Sequence, residues 1–172
     1  MSDTKRVVWE GRYIKVTAQG TWEYVSRTRG VTAAVILAVD QGHVILIEQY
    51  RVPVGARCIE LPAGLVGDET AGEAVEAAAI RELEEETGYR AERVVDLGRF
   101  HSSAGMSSEA FTLVRAEGLT KVGDGGGVDA HEDIEVHRVA LEAVPSFVQE
   151  KRKQGCAVDV KLLLLLGGGM LA

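Results

Sequence analysis

Alternation of apolar and polar residues dominates the first sixty residues of the chain. The stretches RYIKVTA and WEYVSRT show the period of two that is typical of half-buried strands, and QGT between them indicates a turn. VTAAVILAVD and HVILIEQY are separated by the short connection QG, which favours a hairpin. VGARCIELPAGLVG then interrupts the pattern with Pro62, Gly64 and Gly67. We therefore predict a set of N-terminal strands followed by an irregular segment.

The period changes to that of a helix in GDETAGEAVEAAAIRELEEETGY, residues 67–89. Thr70 and Glu73 have the spacing of a capping box, and Gly88 stands where a left-handed residue would end the helix. These signals predict a helix over about residues 71–87. RVVDLGRFHS and EAFTLVRAE are predicted to be strands, and a glycine-rich loop leads into the strand IEVHRVAL. LEAVPSFVQEKRKQ and AVDVKLLLLL indicate two closing helices.

These elements predict one α+β or mixed α/β domain over residues 1–172, with a central mixed sheet, flanking helices and an N-terminal antiparallel extension. A chain of 172 residues can bury a sizeable core. Its 46% hydrophobic and 26% charged residues are ordinary for a folded protein. No internal repeat and no second compositional regime divides the sequence.

The net charge of -7 argues against a general binder of nucleic acids or anionic membranes, because such proteins carry a basic surface. A few local arginines or a metal ion could still bind a phosphorylated substrate. The N-terminal residues lack the apolar core of a signal peptide, and the leucine run at 162–166 is too short to cross a bilayer. Cys58 and Cys156 are expected to be free thiols. We therefore expect a cytoplasmic protein that binds neither nucleic acid nor membrane.

The chemistry that the sequence suggests lies on the predicted helix. Glu82, Glu85 and Glu86 are spaced so that their side chains become neighbours, and like charges at this spacing cost a helix about 0.2–0.5 kcal/mol per pair. A solvated charged face is one explanation. Small apolar residues on the same side of the helix favour partial enclosure, however, and close carboxylate oxygens are ligands for Mg²⁺ or Mn²⁺. The cluster is therefore interpreted as a metal site.

The spacing of these residues resembles the complete Nudix box. Gly67 is followed by Glu73 and then by RELEEETG, residues 81–88. Tyr89 is a mild departure, an aromatic residue where an aliphatic one is usual. TWEYVSR, EQYRVPVGARCIELPAGL and VDVK extend the likeness to the ADP-ribose and nucleotide-sugar pyrophosphatase branch of this family. The resemblance implies the Nudix fold, an α/β/α sandwich, and divalent-metal hydrolysis of a nucleoside diphosphate linked to another group.

The resemblance also implies a metal site and a set of catalytic residues. Mg²⁺, with Mn²⁺ as the alternative, would be held by helix glutamates and one carbonyl of the PAG turn, here Glu82, Glu85, Glu86 and the carbonyl of Ala63. Arg81 would orient the glutamates by ion pairing. Glu132 resembles the loop glutamate that acts as general base, and a solvated loop carboxylate is the alternative. His131 is a candidate by its pKa range alone.

Substrate-binding residues follow from the same resemblance. Trp22 would stack on the base, Glu23 would accept from its amino group, and Tyr13 would reach over from the partner subunit of a homodimer. Residues 1–30 would contribute to this dimer, and residues 31–172 would form the catalytic core. Arg27, Arg51, Leu65, Ser103 and Gly105 complete the predicted contacts to the phosphates and the terminal sugar. A core tryptophan and surface arginines are the alternatives for Trp22 and the two arginines.

Together these features predict a homodimeric Nudix pyrophosphatase that hydrolyses ADP-ribose to AMP and ribose 5-phosphate. ADP-ribose hydrolases typically carry a proline in the loop where this chain has Ala104. This departure favours another nucleoside diphosphate sugar, such as GDP-mannose, as the alternative substrate. A non-catalytic nucleotide-sugar sensor is a second alternative, against which the presence of every metal glutamate argues. Capped RNA is a weaker third, because no basic, aromatic-rich surface is visible.

Overall fold

The computed structural model describes residues 4–29, 31–67, 72–128 and 133–170, with the backbone alone at 168–170. Its α-helices are α1 (Val75–Thr87), α2 (Val144–Lys153) and α3 (Leu163–Met170), and short 3₁₀ turns lie at Leu141–Ala143 and Val160–Leu162. Its strands are β1 (Arg6–Glu10), β2 (Ile14–Gln19), β3 (Trp22–Arg27), β4 (Thr32–Asp40), β5 (His43–Arg51), β6 (Ala56–Glu60), β7 (Ala63–Val66), β8 (Tyr89–Arg90), β9 (Arg93–His101), β10 (Ala110–Glu117), β11 (Thr120–Lys121), β12 (Glu135–Ala140) and β13 (Ala157–Val158).

A mixed sheet of eight strands forms the centre of the structure. Its strands follow the order β13-β6-β5-β4-β10-β9, with β12 paired to β5 and β7 paired to β4. Most neighbours are antiparallel, whereas β10 runs parallel to β4 and β13 runs parallel to β6. The strands β1, β2 and β3 form a separate antiparallel sheet. The predicted central mixed sheet and N-terminal antiparallel extension are both confirmed.

Helices cover both faces of the central sheet. On one face α1 packs through Ala78, Ala79 and Leu83 against apolar residues of β4, β5 and β10. On the other face α2 packs through Val144 and Val148 against the opposite side chains of β4, β5 and β6. Successive residues of β4 point to opposite faces, so burial on both sides explains its nearly continuous apolar sequence. These layers form the expected α/β/α sandwich.

Several short strands of the structure differ from the predicted elements. Arg6–Glu10 forms a strand that the pattern did not predict, and the segment predicted to be irregular contains β6 and β7. Ala157–Val158 was predicted to be helical and instead pairs with β6. Such short strands depend on pairing with neighbours more than on their own composition, so the local pattern identifies them poorly. Among the described helices, none is both long and apolar enough to span a membrane.

A buried carboxylate joins α2 to the central sheet. Glu48 of β5 is 4% exposed, and it accepts hydrogen bonds from Lys151 (2.6 Å) and Arg57 (2.6 Å) and contacts His137 Nε2 (3.1 Å). Burial alone would raise the pKa of the Glu48 carboxyl, but the hydrogen bonds from these groups outweigh it and lower the pKa to about 2. Lys151 thereby fixes α2 against β5.

Replacement of Glu48 by glutamine is expected to lower the free energy of unfolding at pH 7 by about 3 kcal/mol. A depressed pKa means that the charged form stabilises the fold above the ordinary pKa of 4.5, and that this stabilisation is lost as the pH falls towards 2. Denaturant unfolding of both proteins from pH 7 to pH 2.5 measures the effect. The two free energies should converge in acid, and a difference that does not change with pH would contradict a role for the charge.

Candidate active site

The helix α1 begins later than predicted. Its first residue is Val75, and no side chain caps its N-terminus. Thr70 lies outside the described residues. Glu73 precedes the helix, accepts a hydrogen bond from the Gly67 amide (3.3 Å) and lies 3.4 Å from Arg81 Nε. The capping-box interpretation of Glu73 is therefore wrong, because this carboxylate joins the preceding segment to the helix through Arg81.

The predicted end of α1 at Gly88 is confirmed. Gly88 adopts the left-handed conformation (φ 69°, ψ 13°), and its amide donates to the carbonyl of Glu84. A second constraint also acts at this position, since a Cβ on Gly88 would lie 2.1 Å from the carbonyl oxygen of Gly123. Glycine is required here both for its backbone conformation and for the close approach of another segment.

That second segment is the glycine-rich loop 121–127, which packs against the C-terminal end of α1. The amides of Gly126 and Gly127 and the ammonium of Lys121 donate at 2.9–3.0 Å to three of the last carbonyls of the helix, those of Glu86, Glu85 and Thr87. A Cβ on Gly125 would lie 2.4 Å from the carbonyl carbon of Thr87. These glycines therefore allow the loop to approach the helix closely and to satisfy carbonyls that the helix itself leaves open.

Two of the three clustered glutamates contact the turn that leads into β7. Glu86 is 6% exposed, and its Oε2 accepts the amide hydrogen of Ala63 at 3.0 Å. Glu82 lies against the neighbouring residue, because a Cβ on Gly64 would lie 1.8 Å from the carboxyl carbon of Glu82. The structure thus brings two of the predicted glutamate ligands close to the backbone of Ala63, whose carbonyl is a further predicted ligand.

Arg81 connects the carboxylates of this cluster. Its Nη1 lies 3.0 Å from Glu85 Oε2 and 3.1 Å from Glu82 Oε1, so Arg81 forms ion pairs with two of the glutamates. The site gathers more carboxylates than this one guanidinium neutralises. Its donors are carboxylate and carbonyl oxygens, the ligands that Mg²⁺ and Mn²⁺ prefer, so the residues fit a divalent cation.

Another acidic group lies elsewhere in the structure. Glu48, Glu135 and His137 have possible ligand atoms within 4.8 Å of one another, the one group of this kind among the described residues. The Glu48 carboxylate, however, already contacts Arg57 and Lys151. A cation there would meet two positive side chains, so the chemistry favours the glutamates of α1.

A cavity of about 550 Å³ opens beside the contact between α1 and Ala63. Arg51, Gly64 and Leu65 line it, and the predicted substrate contacts of Arg51 and Leu65 stay predictions. Arg51 forms two hydrogen bonds to Glu60, Nε–Oε1 at 2.6 Å and Nη2–Oε2 at 2.7 Å. The Arg51 side chain is 42% exposed and that of Glu60 only 5%, so the pair presents its positive half outwards. Such a surface suits a phosphate.

The free thiol of Cys58 also lines this cavity. Burial, together with the nearby Glu60 carboxylate, raises the pKa of the Cys58 thiol to about 12. The thiol is therefore protonated at neutral pH and unsuited to nucleophilic chemistry. Cys156 is also a free thiol, as expected for both cysteines.

Arg27, at the end of β3 in the N-terminal sheet, also lines this cavity. Its guanidinium contacts Glu109 Oε1 through Nη2 (2.6 Å) and Nε (2.8 Å). A second cavity, of about 420 Å³, lies between β3 and the loop that precedes Glu109. Trp22 and Gly105 both line it. Hydrogen bonds between Val25 and the loop fix this loop against β3.

The other predicted substrate residues lie in the N-terminal sheet region and in the same loop. Tyr13 is 65% exposed just before β2, and Glu23 is exposed in β3. The carbonyl of Ser103 accepts hydrogen bonds from Met106 and Ser107 and so shapes the loop. Their contacts to a substrate stay predictions.

The predicted general base, Glu132, lies outside the described residues, as does His131. The next residue, Asp133, is highly exposed, but its carboxylate accepts a hydrogen bond from Arg57 Nη1 at 2.8 Å. Asp133 is therefore already engaged in an ion pair, and the role of Glu132 as general base stays a prediction.

Four charged residues that line the larger cavity were not predicted from the sequence to belong to the site. They are Glu60, Glu109, Asp159 and Lys161. Glu60 and Glu109 hold the two predicted arginines, and Lys161 Nζ lies 2.7 Å from Asp159 Oδ2. The motif VDVK contains the last two, but nothing local in it shows that the chain returns to β6 at this point.

Comparison with known proteins identifies the family. The NUDIX domain model matches residues 28–156, and the chain belongs to the Nudix family. A crystal structure of an ADP compounds hydrolase superposes with a TM-score of 0.72 at 22% identity, covering 97% of this chain and 91% of that one. At this identity the structural likeness supports the fold alone.

Curated relatives include the ADP-ribose pyrophosphatase of Bacillus subtilis, 35% identical over 69% of this chain and 62% of its own length. The methanol dehydrogenase activator of Bacillus methanolicus is 35% identical over 69% and 63%. The GDP-mannose pyrophosphatase of Cronobacter sakazakii is 35% identical over 80% and 72%. The matched region thus spans less than two thirds of the length of the two Bacillus relatives.

Gly64→Ala is expected to weaken Mn²⁺ binding by about 10- to 100-fold, because the new Cβ would occupy the position of the Glu82 carboxyl group. The fold should survive, since the displaced group is the end of a flexible side chain. Titration with Mn²⁺ followed by electron paramagnetic resonance measures the affinity, and thermal unfolding checks the fold. Gly105→Ala is the control, since a Cβ at Gly105 meets no atom within 4 Å. Equal Mn²⁺ affinity in both variants would exclude Glu82 from the metal site.

Proposed function

We propose that this protein hydrolyses the pyrophosphate bond of ADP-ribose to give AMP and ribose 5-phosphate, in a reaction that requires Mg²⁺ or Mn²⁺. The observation that carries the proposal is the convergence of Glu82 and Glu86 on the backbone of Ala63 and Gly64, beside a cavity with an outward-facing arginine. Relatives named ADP-ribose pyrophosphatase, among them the Bacillus subtilis protein, support this choice of substrate.

Glu82, Glu85, Glu86 and the carbonyl of Ala63 would hold the cations. Bound there, divalent cations neutralise phosphate oxygens and lower the pKa of a bound water. Arg81 keeps the carboxylates oriented through its ion pairs with Glu82 and Glu85. Glu132 would accept the proton of the attacking water. The residues of the chain thus act mainly by positioning the substrate and by stabilising charge.

We assign the base of the substrate to the smaller cavity and its phosphates to the larger cavity. The base would stack on Trp22 in the smaller cavity, with Glu23 accepting from its amino group. Arg27 and Arg51 would bind the phosphates in the larger cavity, because a guanidinium whose partner carboxylate fixes two of its donors still has others directed elsewhere. Tyr13, Leu65, Ser103 and Gly105 complete the proposed contacts.

GDP-mannose, or another nucleoside diphosphate sugar, is the alternative substrate. Ala104 replaces the proline that is typical of ADP-ribose hydrolases, and the similarity to the Cronobacter sakazakii GDP-mannose pyrophosphatase supports the alternative. A non-catalytic sensor is disfavoured, because all three glutamates and Arg81 are present and in contact with one another or with the turn.

A substrate panel with Mg²⁺ tests this proposal. We expect ADP-ribose to be hydrolysed with a higher kcat/KM than GDP-mannose or UDP-glucose, with phosphate released from the products by a coupled phosphatase as the readout. If GDP-mannose or UDP-glucose is turned over as fast, ADP-ribose is not the preferred substrate. If no member of the panel is hydrolysed, the enzymatic proposal fails.

Variants of α1 separate the roles of its glutamates. Glu82→Gln and Glu86→Gln should each lower kcat by several orders of magnitude in the same assay, whereas Glu132→Gln should cause a smaller loss. Glu84→Gln is the matched control on the same helix, because Glu84 pairs with Arg90 on the exposed side. Near-normal activity of Glu82→Gln and Glu86→Gln would remove these residues from the metal site, and an unchanged rate in Glu132→Gln would remove it as the base.

We also propose that the 172 residues act as one Nudix domain in a cytoplasmic homodimer, with residues 1–30 in the interface. The support is the apolar surface of the N-terminal sheet, where Val7, Val8, Trp9 and Ile14 are all at least 42% exposed. Sedimentation velocity should show a dimer, and Val8→Asp should shift it towards monomer because it places a charge in that surface. A monomeric wild-type protein would contradict the proposal.

A further inference from the structure

The C-terminal turn of the chain forms one wall of the larger cavity. Ala157 and Val158 pair in parallel with β6, and the amide of Asp159 donates to the carbonyl of Ile59 at 3.0 Å. Asp159 and Lys161 consequently line the same cavity as Arg51 and Gly64. Strand pairing and this hydrogen bond fix the turn in place, so the turn has a defined position in the wall of the cavity.

Asp159 caps the 3₁₀ turn, but this role does not explain the position of the Lys161 side chain. Asp159 Oδ1 accepts the Lys161 amide at 2.8 Å and so caps the 3₁₀ turn at Val160–Leu162. That cap uses only the backbone of residue 161. The ammonium of Lys161 nevertheless lies at the cavity, 2.7 Å from Asp159 Oδ2 and 5.6 Å from the centre of the Phe111 ring. Most residues with an amide could form the cap, so the cap does not explain why a cationic side chain lines the cavity at this position.

The exposure of the two side chains indicates what they can bind. Arg51 and Glu60 both line the cavity, but the Arg51 side chain is 42% exposed and that of Glu60 only 5%, so the cation is the accessible member of this pair. Lys161 and Asp159 are exposed to similar extents, 16% and 20%, so a ligand meets a donor and an acceptor of opposite charge. A phosphate would be attracted by one and repelled by the other. A sugar hydroxyl suits both, because it accepts from an ammonium and donates to a carboxylate.

The position of the turn along the cavity is consistent with this choice. Arg27 and Glu109 form another mixed pair, but they belong to β3 and to the loop that also line the cavity of Trp22, where the base is proposed to bind. Asp159 and Lys161 belong to the opposite end of the chain and to the β6 side of the sheet. The outward-facing Arg51 also lines this cavity, which leaves the C-terminal turn for the group beyond the phosphates.

We propose that Asp159 and Lys161 bind the hydroxyl groups of the terminal sugar of a nucleoside diphosphate sugar, and that they favour such substrates over nucleoside diphosphates without a sugar. The inference rests on the proposed function, which supplies the substrate class. It assigns the terminal sugar to the C-terminal turn in place of the predicted Ser103 and Gly105, of which Gly105 lies beside Trp22.

Binding of the two product halves tests the inference without any turnover. Isothermal titration in the presence of Mg²⁺ gives the affinities of ribose 5-phosphate, AMP and inorganic phosphate for the wild-type protein and for two variants. Lys161→Met keeps an aliphatic chain beside Phe111, and Asp159→Asn keeps the cap of the 3₁₀ turn. Both should weaken ribose 5-phosphate binding by about 10-fold or more, with AMP and inorganic phosphate unchanged. Lys161→Arg should recover part of the affinity, since it restores a cationic donor.

Lys153→Met is the control for loss of a lysine charge away from the cavity, because Lys153 lies 3.5 Å from Glu150 on the exposed side of α2. An equal loss of inorganic phosphate binding would show that the pair binds phosphate, and a loss of AMP binding alone would place it at the nucleoside end. Either result, or no change in any affinity, would overturn the inference. Failure of the proposed function appears separately, as absence of turnover by the wild-type protein in the substrate panel.

Discussion

The arrangement of the active site depends on the contact of two carboxylates of α1 with the backbone of Ala63 and Gly64. Carboxylates held so close to one another would repel each other without compensation. The Ala63 amide supplies one compensating hydrogen bond to Glu86, and Arg81 supplies positive charge to Glu82 and Glu85. The turn and the helix therefore form one unit: the turn orients the glutamates, which together with the carbonyl of Ala63 are the proposed cation ligands at the edge of the larger cavity.

This unit is held in place from several directions. Ala78 and Ala79 are small enough to bring α1 close to the central sheet, and Leu83 anchors the same face. Glu73 ties the preceding segment to the helix through Arg81, while the loop 121–127 occupies the carbonyls at the other end. Residues that look purely structural thus determine where the proposed metal ligands lie, and stability and site geometry depend on the same contacts.

The sequence predicted those features of the fold and the site that depend on residues close together in the chain. The spacing of Glu82, Glu85 and Glu86, the helix stop at Gly88 and the alternation of the long strands could all be predicted, because helical period, left-handed caps and strand pleat are properties of neighbouring residues. The start of α1 was misplaced because Glu73 has a tertiary partner in Arg81, which competes with a local cap.

The missing parts of the site depend on contacts between distant segments. Glu60 and Glu109 could not be recognised as the partners of Arg51 and Arg27, since strand order and loop packing bring each pair together. Lys161 reaches the cavity only because β13 joins β6 in parallel, a pairing of two residues that leaves almost no pattern in the sequence. Whether a segment of two or four residues forms a strand depends on the neighbouring strands with which it pairs.

The junction between α1 and the glycine-rich loop has an evolutionary consequence. Asparagine can often replace glycine at a left-handed helix end, because it tolerates that backbone conformation. At Gly88 it could not, since any side chain would collide with the carbonyl of Gly123, and a side chain on Gly125 would collide in turn with Thr87. A single added carbon atom in either segment would thus collide with the other segment, although the two lie far apart in the sequence. Acceptable substitutions at either one should therefore occur together with compensating changes in the other.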